Sequence, residues 1–221
     1  MNDQKIAEEW IKTIEDPSSQ HIRNADIYPK LKDWFDKTQA SKILEIGCGQ
    51  GICSQKMALS QCSYTGLDPS PPLIKRAQEL YQSHKHNFVL GSAEKLPFLN
   101  QEFDAIFSIA VWHLLPDIAL AAAELSRVLK LGGSLLIISA NPAAYSTWTQ
   151  PYMNPQMNGR KFTGEIELSD STRVTETLFL HSQKEILDSL AKAQLKIESI
   201  NTFRQIDEHH QFIEIHGRKV E

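Results

Sequence analysis

The 221-residue sequence predicts an α/β fold: a doubly wound parallel sheet with helices on both faces and an antiparallel strand pair at one edge. Three observations predict it. From Lys42 onward short apolar runs alternate with amphipathic segments, and strand–helix–strand crossovers turn that rhythm into a parallel sheet. The fourth run, FDAIFSIAV, is nearly all apolar, as a strand covered on both faces must be. The closing runs LKIESINTF and HQFIEIHG are joined by a short polar link, which suits an antiparallel pair.

Two helices precede the rhythm. Ile6, Trp10, Ile11 and Ile14 share one face, and Ile27, Leu31, Trp34 and Phe35 another. KILEIG is then the first strand and ICSQKMALS the helix after it. YTGLD is the second strand, followed by the helix PPLIKRAQELYQS with its two prolines near the first turn, where the missing N–H does no harm. NFVLG is the third strand and FDAIFSIAV the fourth. The alanine- and leucine-rich segment Asp117 to Lys130 is a helix expected to stop at Gly132-Gly133. SLLIIS is the fifth strand. FTGEIEL and TRVTETLFL alternate around a Ser-Asp turn and predict a strand pair, within a stretch rich in Pro, Asn, Thr and aromatics. SQKEILDSLAKAQ is the last helix.

Composition narrows the function classes. With 23 basic and 27 acidic residues the net charge is −4, and without a basic run a nucleic-acid surface is not expected. The polar start MNDQKIAEEW is neither a signal nor a transit peptide, and no apolar run approaches the ~20 residues of a membrane span. Three cysteines without a C-x-x-C pair read as reduced thiols, which places the protein in the cytoplasm. His21, His84, His86, His181, His209, His210 and His216 show no ligand-like partners, so no metal is expected.

Gly47, Gly49 and Gly51 fall at alternate positions directly after the first strand. The dinucleotide fingerprint G-x-G-x-x-G would need its third glycine where Ile52 stands, and a phosphate loop would need Gly-Lys-Ser/Thr. Asp68 closes the second strand, where these folds carry a ribose-binding carboxylate. Glycines plus acid therefore fit a ligand with a ribose but no pyrophosphate, such as S-adenosylmethionine.

Five motifs in order, ILEIGCGQG, YTGLDPS, GSAEKLPF, FDAIFSIAVWHLLPD and LKLGGSLLIIS, resemble those of the class I S-adenosylmethionine-dependent methyltransferases, in particular the small-molecule type of ubiquinone/menaquinone biosynthesis. The resemblance runs from about Lys42 to Gly133. It implies a Rossmann-like seven-stranded sheet with a reversed last hairpin, and methyl transfer to a small-molecule acceptor. It divides the chain into an N-terminal helical cap (1–40), a cofactor-binding core (41–140), a substrate lid (141–176) and a C-terminal helix with strand pair (177–221).

The resemblance also implies roles. Glu45 and the loop Gly47, Cys48, Gly49 and Gly51 face the methionine part of the cofactor, and Asp68 takes both ribose hydroxyls. Pro69 and Ser70 flank the adenine. Ser92 stands where the family usually has an Asp for the adenine amino group, beside Ala93 and Glu94. Ser108 and Ile109 sit by the sulfonium. From the cap, Arg23 reaches the methionine carboxylate or is simply solvated, and Tyr28 lines the pocket.

His113 lies just past the fourth strand, at the carboxyl edge where ligands bind in such sheets. It is either a general base or a residue packed below the pocket. Tyr145, Trp148, Tyr152 and Met153 are either an aromatic pocket wall or a satellite core under the loop. A cofactor-binding module without catalysis keeps the same motifs. A protein or RNA enzyme of this fold would carry Asn/Asp-Pro-Pro-Tyr/Phe after the fourth strand or a basic face, and AVWHLLPD has neither.

Overall fold

The structure, a computed structural model, describes residues 2–15, 21–56, 62–168, 171–206 and 208–221. The cap comprises α1 (Asn2–Glu15), a π-helical turn (Arg23–Ile27) and α2 (Tyr28–Thr38). The alternating core follows: β1 (Lys42–Ile46), α3 (Ile52–Lys56), β2 (Ser63–Asp68), α4 (Pro71–Tyr81), β3 (His86–Leu90), β4 (Phe103–Ile109), α5 (Ile118–Val128) and β5 (Leu129–Ala140). The second half of the expected helix after the glycines, residues 57–60, lies outside the described residues. Next come α6 (Tyr145–Thr149), β6 (Met153–Asn158), β7 (Lys161–Glu167), β8 (Arg173–Phe179), α7 (Gln183–Lys192), β9 (Leu195–Ile206) and β10 (His209–Lys219).

Among the described residues the main sheet has seven strands in the order β3-β2-β1-β4-β5-β10-β9. β1 to β5 run parallel, and β10 pairs antiparallel with both β5 and β9, so that it alone is reversed in the sheet. Alternate side chains feed two cores, as the pleat requires. Leu44, Ile106, Leu135, Ile137 and Ile213 pack against α5 and α7. Ile43, Phe107, Leu136, Ile138 and Phe212 pack against α2 and α4, with Leu31, Trp34 and Ile74 from those helices. α7 begins with a full capping box, Ser182 and Glu185 each bonding the other's backbone N–H.

Three local expectations change. α5 stops at Val128 and not at the glycines, because Leu129 is already extended (φ −77°, ψ 135°) and pairs with Phe103. Gly132-Gly133 instead sits in an irregularity of β5, where the register against β4 jumps. Trp10, grouped with the buried face of α1, is 41% exposed, and the buried residues there are Ala7 and Ile14. The stretch MNPQMN is a strand, β6, so the pair β7–β8 becomes a three-stranded antiparallel sheet; the Ser-Asp turn at 169–170 lies outside the described residues. No helix among the described residues is long and apolar enough to cross a membrane.

Candidate active site

The carboxyl ends of β1, β2 and β4 meet at the glycine loop. All three glycines are left-handed, with φ of 71°, 54° and 82° at Gly47, Gly49 and Gly51, which only glycine adopts freely. Their surroundings differ. A Cβ on Gly47 would lie 2.3 Å from Val111 Cγ2, and one on Gly51 would lie 2.6 Å from the Phe88 ring. A Cβ on Gly49 would meet only Trp10 Nε1, at 3.5 Å. Packing thus explains Gly47 and Gly51, whereas Gly49 opens onto a cradle roofed by Trp10 of α1. Gln50, buried, donates to the Ile11 carbonyl at 3.3 Å and ties loop to roof.

Asp68 is buried at the end of β2. Its Oδ2 accepts from the Gly49 N–H at 3.0 Å and its Oδ1 from the Ser70 N–H at 2.9 Å. Burial raises its pKa, and the two N–H bonds oppose that rise. Each oxygen keeps a lone pair, so the carboxylate can still accept from a diol. Pro69 is exposed and Ser70 half-buried beside it.

Behind the loop lies a polar cluster. Glu45 is 2% exposed and accepts from the Tyr64 hydroxyl. Burial lifts its pKa to about 7, against the pull of that bond. Burial also pushes the Cys48 and Cys53 thiols up, so both stay protonated and are not nucleophiles. The Arg23 guanidinium stands 5.4 Å over the Trp10 ring, and its charge lowers the pKa of both Glu45 and Tyr28 against their burial. Tyr28 is buried, and burial raises its pKa against the pull of Arg23.

After β3, the Ser92 hydroxyl donates to Glu94, whose N–H returns a bond to Ser92 Oγ at 3.2 Å. Glu94 Oε1 is buried and has no hydrogen-bond partner among the described residues, and Ala93 is buried between them. At the end of β4, Ser108 Oγ accepts from Trp112 Nε1 at 3.0 Å, and Ile109 is buried. Ala110 follows with φ 59°, a strained conformation for a residue with a Cβ and a common mark of functional sites. No sequence signal announces it.

His113 sits in a single 3₁₀ turn, Trp112–Leu114. Its Nδ1 lies 3.4 Å from Ser139 Oγ, at the end of β5, and its ring 6.0 Å from Trp148. Burial lowers its pKa from 6.5 to about 4, so the imidazole is neutral near pH 7. Trp148 donates to the Gln211 carbonyl at 3.0 Å and packs edge-on to Phe212 at 5.4 Å. The other two aromatics go elsewhere. Tyr152 packs on Phe162, donates to Glu176 at 2.6 Å and fills the space left by Gly164. Tyr145 lies near Glu185, and burial pushes its pKa to about 12. Met153 is half-buried on β6. The site so assembled holds Glu45, the glycine loop, Asp68, Ser108 and Ile109 on one side and His113 with Trp148 on the other. Sequence reasoning missed Trp10 and Phe212, which belong to no motif, and Ala110, whose motif does not announce a left-handed backbone.

The residues fit S-adenosylmethionine. The Gly49 cradle would take the methionine part, Asp68 the ribose, and Ser92, Ala93 and Glu94 the adenine, where the unpartnered Glu94 oxygen is an acceptor in need of a donor. Among the described residues no group of three or more His, Cys, Asp and Glu could hold a metal ion.

The chain is similar to known methyltransferases. The chain is 32% identical over 162 residues, 71% of its length, to a phthiotriol/phenolphthiotriol dimycocerosates methyltransferase of Mycobacterium leprae, and spans 58% of that protein. It is 33% identical over 106 residues to a fatty-acid O-methyltransferase of Mycolicibacterium smegmatis, covering 47% of this chain and 39% of that one. In fold it is similar to the crystal structure of a methyltransferase from Methanosarcina mazei, with a TM-score of 0.70, 21% identity and coverage of 88% and 99%. Residues 44–137 match the Methyltransferase domain family.

Proposed function

We propose that this chain binds S-adenosylmethionine and transfers its methyl group to an apolar small-molecule acceptor. The observation that carries the reading is Asp68, a buried carboxylate fixed by two backbone N–H groups beside an open glycine cradle. When bound, the cofactor supplies a methyl group already activated by a sulfonium; the protein supplies binding and orientation. Asp68 holds the ribose diol through charge-assisted bonds. Glu45, the Gly47–Gly51 loop and Arg23 hold the methionine part. Ser92, Ala93 and Glu94 face the adenine with Pro69 and Ser70 at its side, and Ser108 and Ile109 back the sulfur. Neutral His113 accepts a proton from the acceptor's nucleophilic atom. Tyr28 and Trp148 border the acceptor; Tyr145 and Tyr152 support the lid from behind.

The cap (1–40), core (41–140), lid (141–176) and C-terminal part (177–221) are the corresponding functional units. A lipid-type acceptor accords with the mycobacterial relatives and with the half-buried aromatic side of the site. A cytoplasmic setting belongs to the same reading. Titration calorimetry with S-adenosylhomocysteine tests the reading. Asp68→Ala should weaken binding by roughly 1.5–3 kcal/mol, the range for a hydrogen bond to a charged group. Failure of the unaltered protein to bind would overturn the reading. Transfer of labelled methyl from S-adenosylmethionine into a panel of hydroxylated and carboxylated lipids then tests the acceptor class.

A further inference from the structure

The β9–β10 hairpin is longer than the sheet it closes. The last pairing of β10 with β5 is Phe212 with Ala140, yet β10 continues to pair with β9 as far as His209 with Ile206. His209 to Gln211 and their partners on β9 therefore overhang the carboxyl edge by about 10 Å, at roughly 3.4 Å per residue. The overhang is pinned on both sides. Asn141 Nδ2 donates to the His210 carbonyl at 2.7 Å and Trp148 to that of Gln211. Arg204 donates to Asp26 of the cap at 2.7 Å.

Alternation along β9 breaks at Arg204, whose φ is 57°. Consecutive residues in a regular strand face opposite ways, but here Phe203 and Arg204 both contact the cap, Phe203 under Lys30 Nζ at 4.7 Å from the ring centre. Phe203 also stacks on Phe212 at 5.2 Å and 16°, Phe212 meets Trp148 edge-on, and Trp148 meets His113. An aromatic track thus runs from the overhang to the candidate base. Phe203, Trp148, Ala110 and Ile22 are only half-buried, and the cations beside the track are neutralised, Lys30 by Glu214 at 2.8 Å and Arg204 by Asp26.

We infer that the overhanging hairpin is a wall of the acceptor site, and that Phe203 on it sets the length of alkyl chain the site takes. The rings along the track turn by 83° and 36° at successive steps, so a rigid planar acceptor cannot lie against all of them. A flexible chain can. Each methylene buried on such a wall is worth about a fourfold change in Kd. What the site does with the chain rests on the methyl-transfer reading; whether it binds one does not.

The test uses the full chain, with and without saturating S-adenosylhomocysteine, and the fluorescent probe 11-(dansylamino)undecanoate displaced by unlabelled octanol or dodecanol. Unaltered protein should bind the probe and release it more readily to dodecanol than to octanol. Phe203→Ala should weaken probe binding at least tenfold and Phe203→Leu less than threefold. Phe203→Trp should reverse the order of the two alcohols by shortening the track. S-adenosylhomocysteine affinity, followed by calorimetry, should stay within twofold in all three. Equal probe affinity in Phe203→Ala and unaltered protein, or no probe binding to the unaltered protein, overturns the inference. If Phe203→Ala does not fold, as read by its melting transition, an unchanged alcohol order in Phe203→Trp overturns it instead. Loss of S-adenosylhomocysteine binding by the unaltered protein sinks the cofactor reading alone, since the alkyl titrations are also run without it.

Discussion

The two sides of the site are built differently. On the β1–β2 side, short turns hold the backbone in conformations that glycine alone accepts, and one buried carboxylate, Asp68, is fixed by N–H groups two residues and one strand away. On the β5–β10 side, the parts are aromatic rings from α6, β9 and β10, far apart in sequence, with Trp148 and Phe203 only half-buried around the buried Phe212. The first side tolerates no change of shape, because a Cβ on Gly47 has nowhere to go. The second is a surface of side chains on fixed supports, which substitution can reshape without touching the backbone. A site divided this way can keep one ligand constant and vary the other.

The largest expected effect lies on the side-chain half. His113→Ala should lower turnover by ~10²–10⁴-fold, the range for a lost general base, with S-adenosylhomocysteine affinity unchanged. The pH profile of kcat/KM should show an acid limb near the pKa of about 4, well below the ordinary 6.5, because burial disfavours the imidazolium. Folding is linked to the same group. The unfolded chain takes up this proton near pH 6.5 and the folded one only near 4, so stability falls as pH drops through that window. His113→Ala should flatten the fall; an unaltered profile in the mutant would leave the residue structural.

The backbone half should respond in stability. Gly47→Ala combines a left-handed φ with a clash against Val111 and should cost about 3 kcal/mol in urea unfolding. Gly49→Ala has the same φ penalty but only Trp10 nearby, so it should cost about 1 kcal/mol and instead weaken S-adenosylhomocysteine binding. Equal losses at both positions would erase the distinction between a packing glycine and a ligand-facing one.

One substitution should instead bring a gain. Glu45 holds its proton up to about pH 7 when folded, against an ordinary 4.5, so its contribution to stability is full below pH 4.5 and lost as pH rises through 7. Glu45→Gln removes that loss. Melting at pH 8 should then improve relative to pH 5 by on the order of 1–2 kcal/mol. A carboxylate that is ionised and well solvated in the folded protein would give no such difference.

Legibility in the sequence followed the same division. Strands β1 to β5, α4 and the closing hairpin announce themselves through apolar runs and turn residues. Asp68 was readable because its partners Gly49 and Ser70 lie on the loop and turn its own motif defines. Met153 to Asn158 did not read as a strand, since proline and asparagine suppress the local signal; β7 supplies the pairing that overrides it. The stop of α5 was misplaced because Leu129 leaves the helix to pair with Phe103, 26 positions earlier. A glycine signal further on carries no information about that.

The sequence by itself determined the strand–helix alternation of β1 to β5, the closing hairpin, the turn that opens onto the cradle and the acid beside it, because hydrophobic period and glycine conformation are local properties. Only the tertiary structure decided that Trp10 roofs Gly49, that Trp148 and not Tyr152 stands beside His113, and that the β9–β10 hairpin overshoots β5. Those facts depend on strand register and on which faces of separate elements meet. Register is fixed by many side-chain contacts at once, and no short stretch of the chain encodes it.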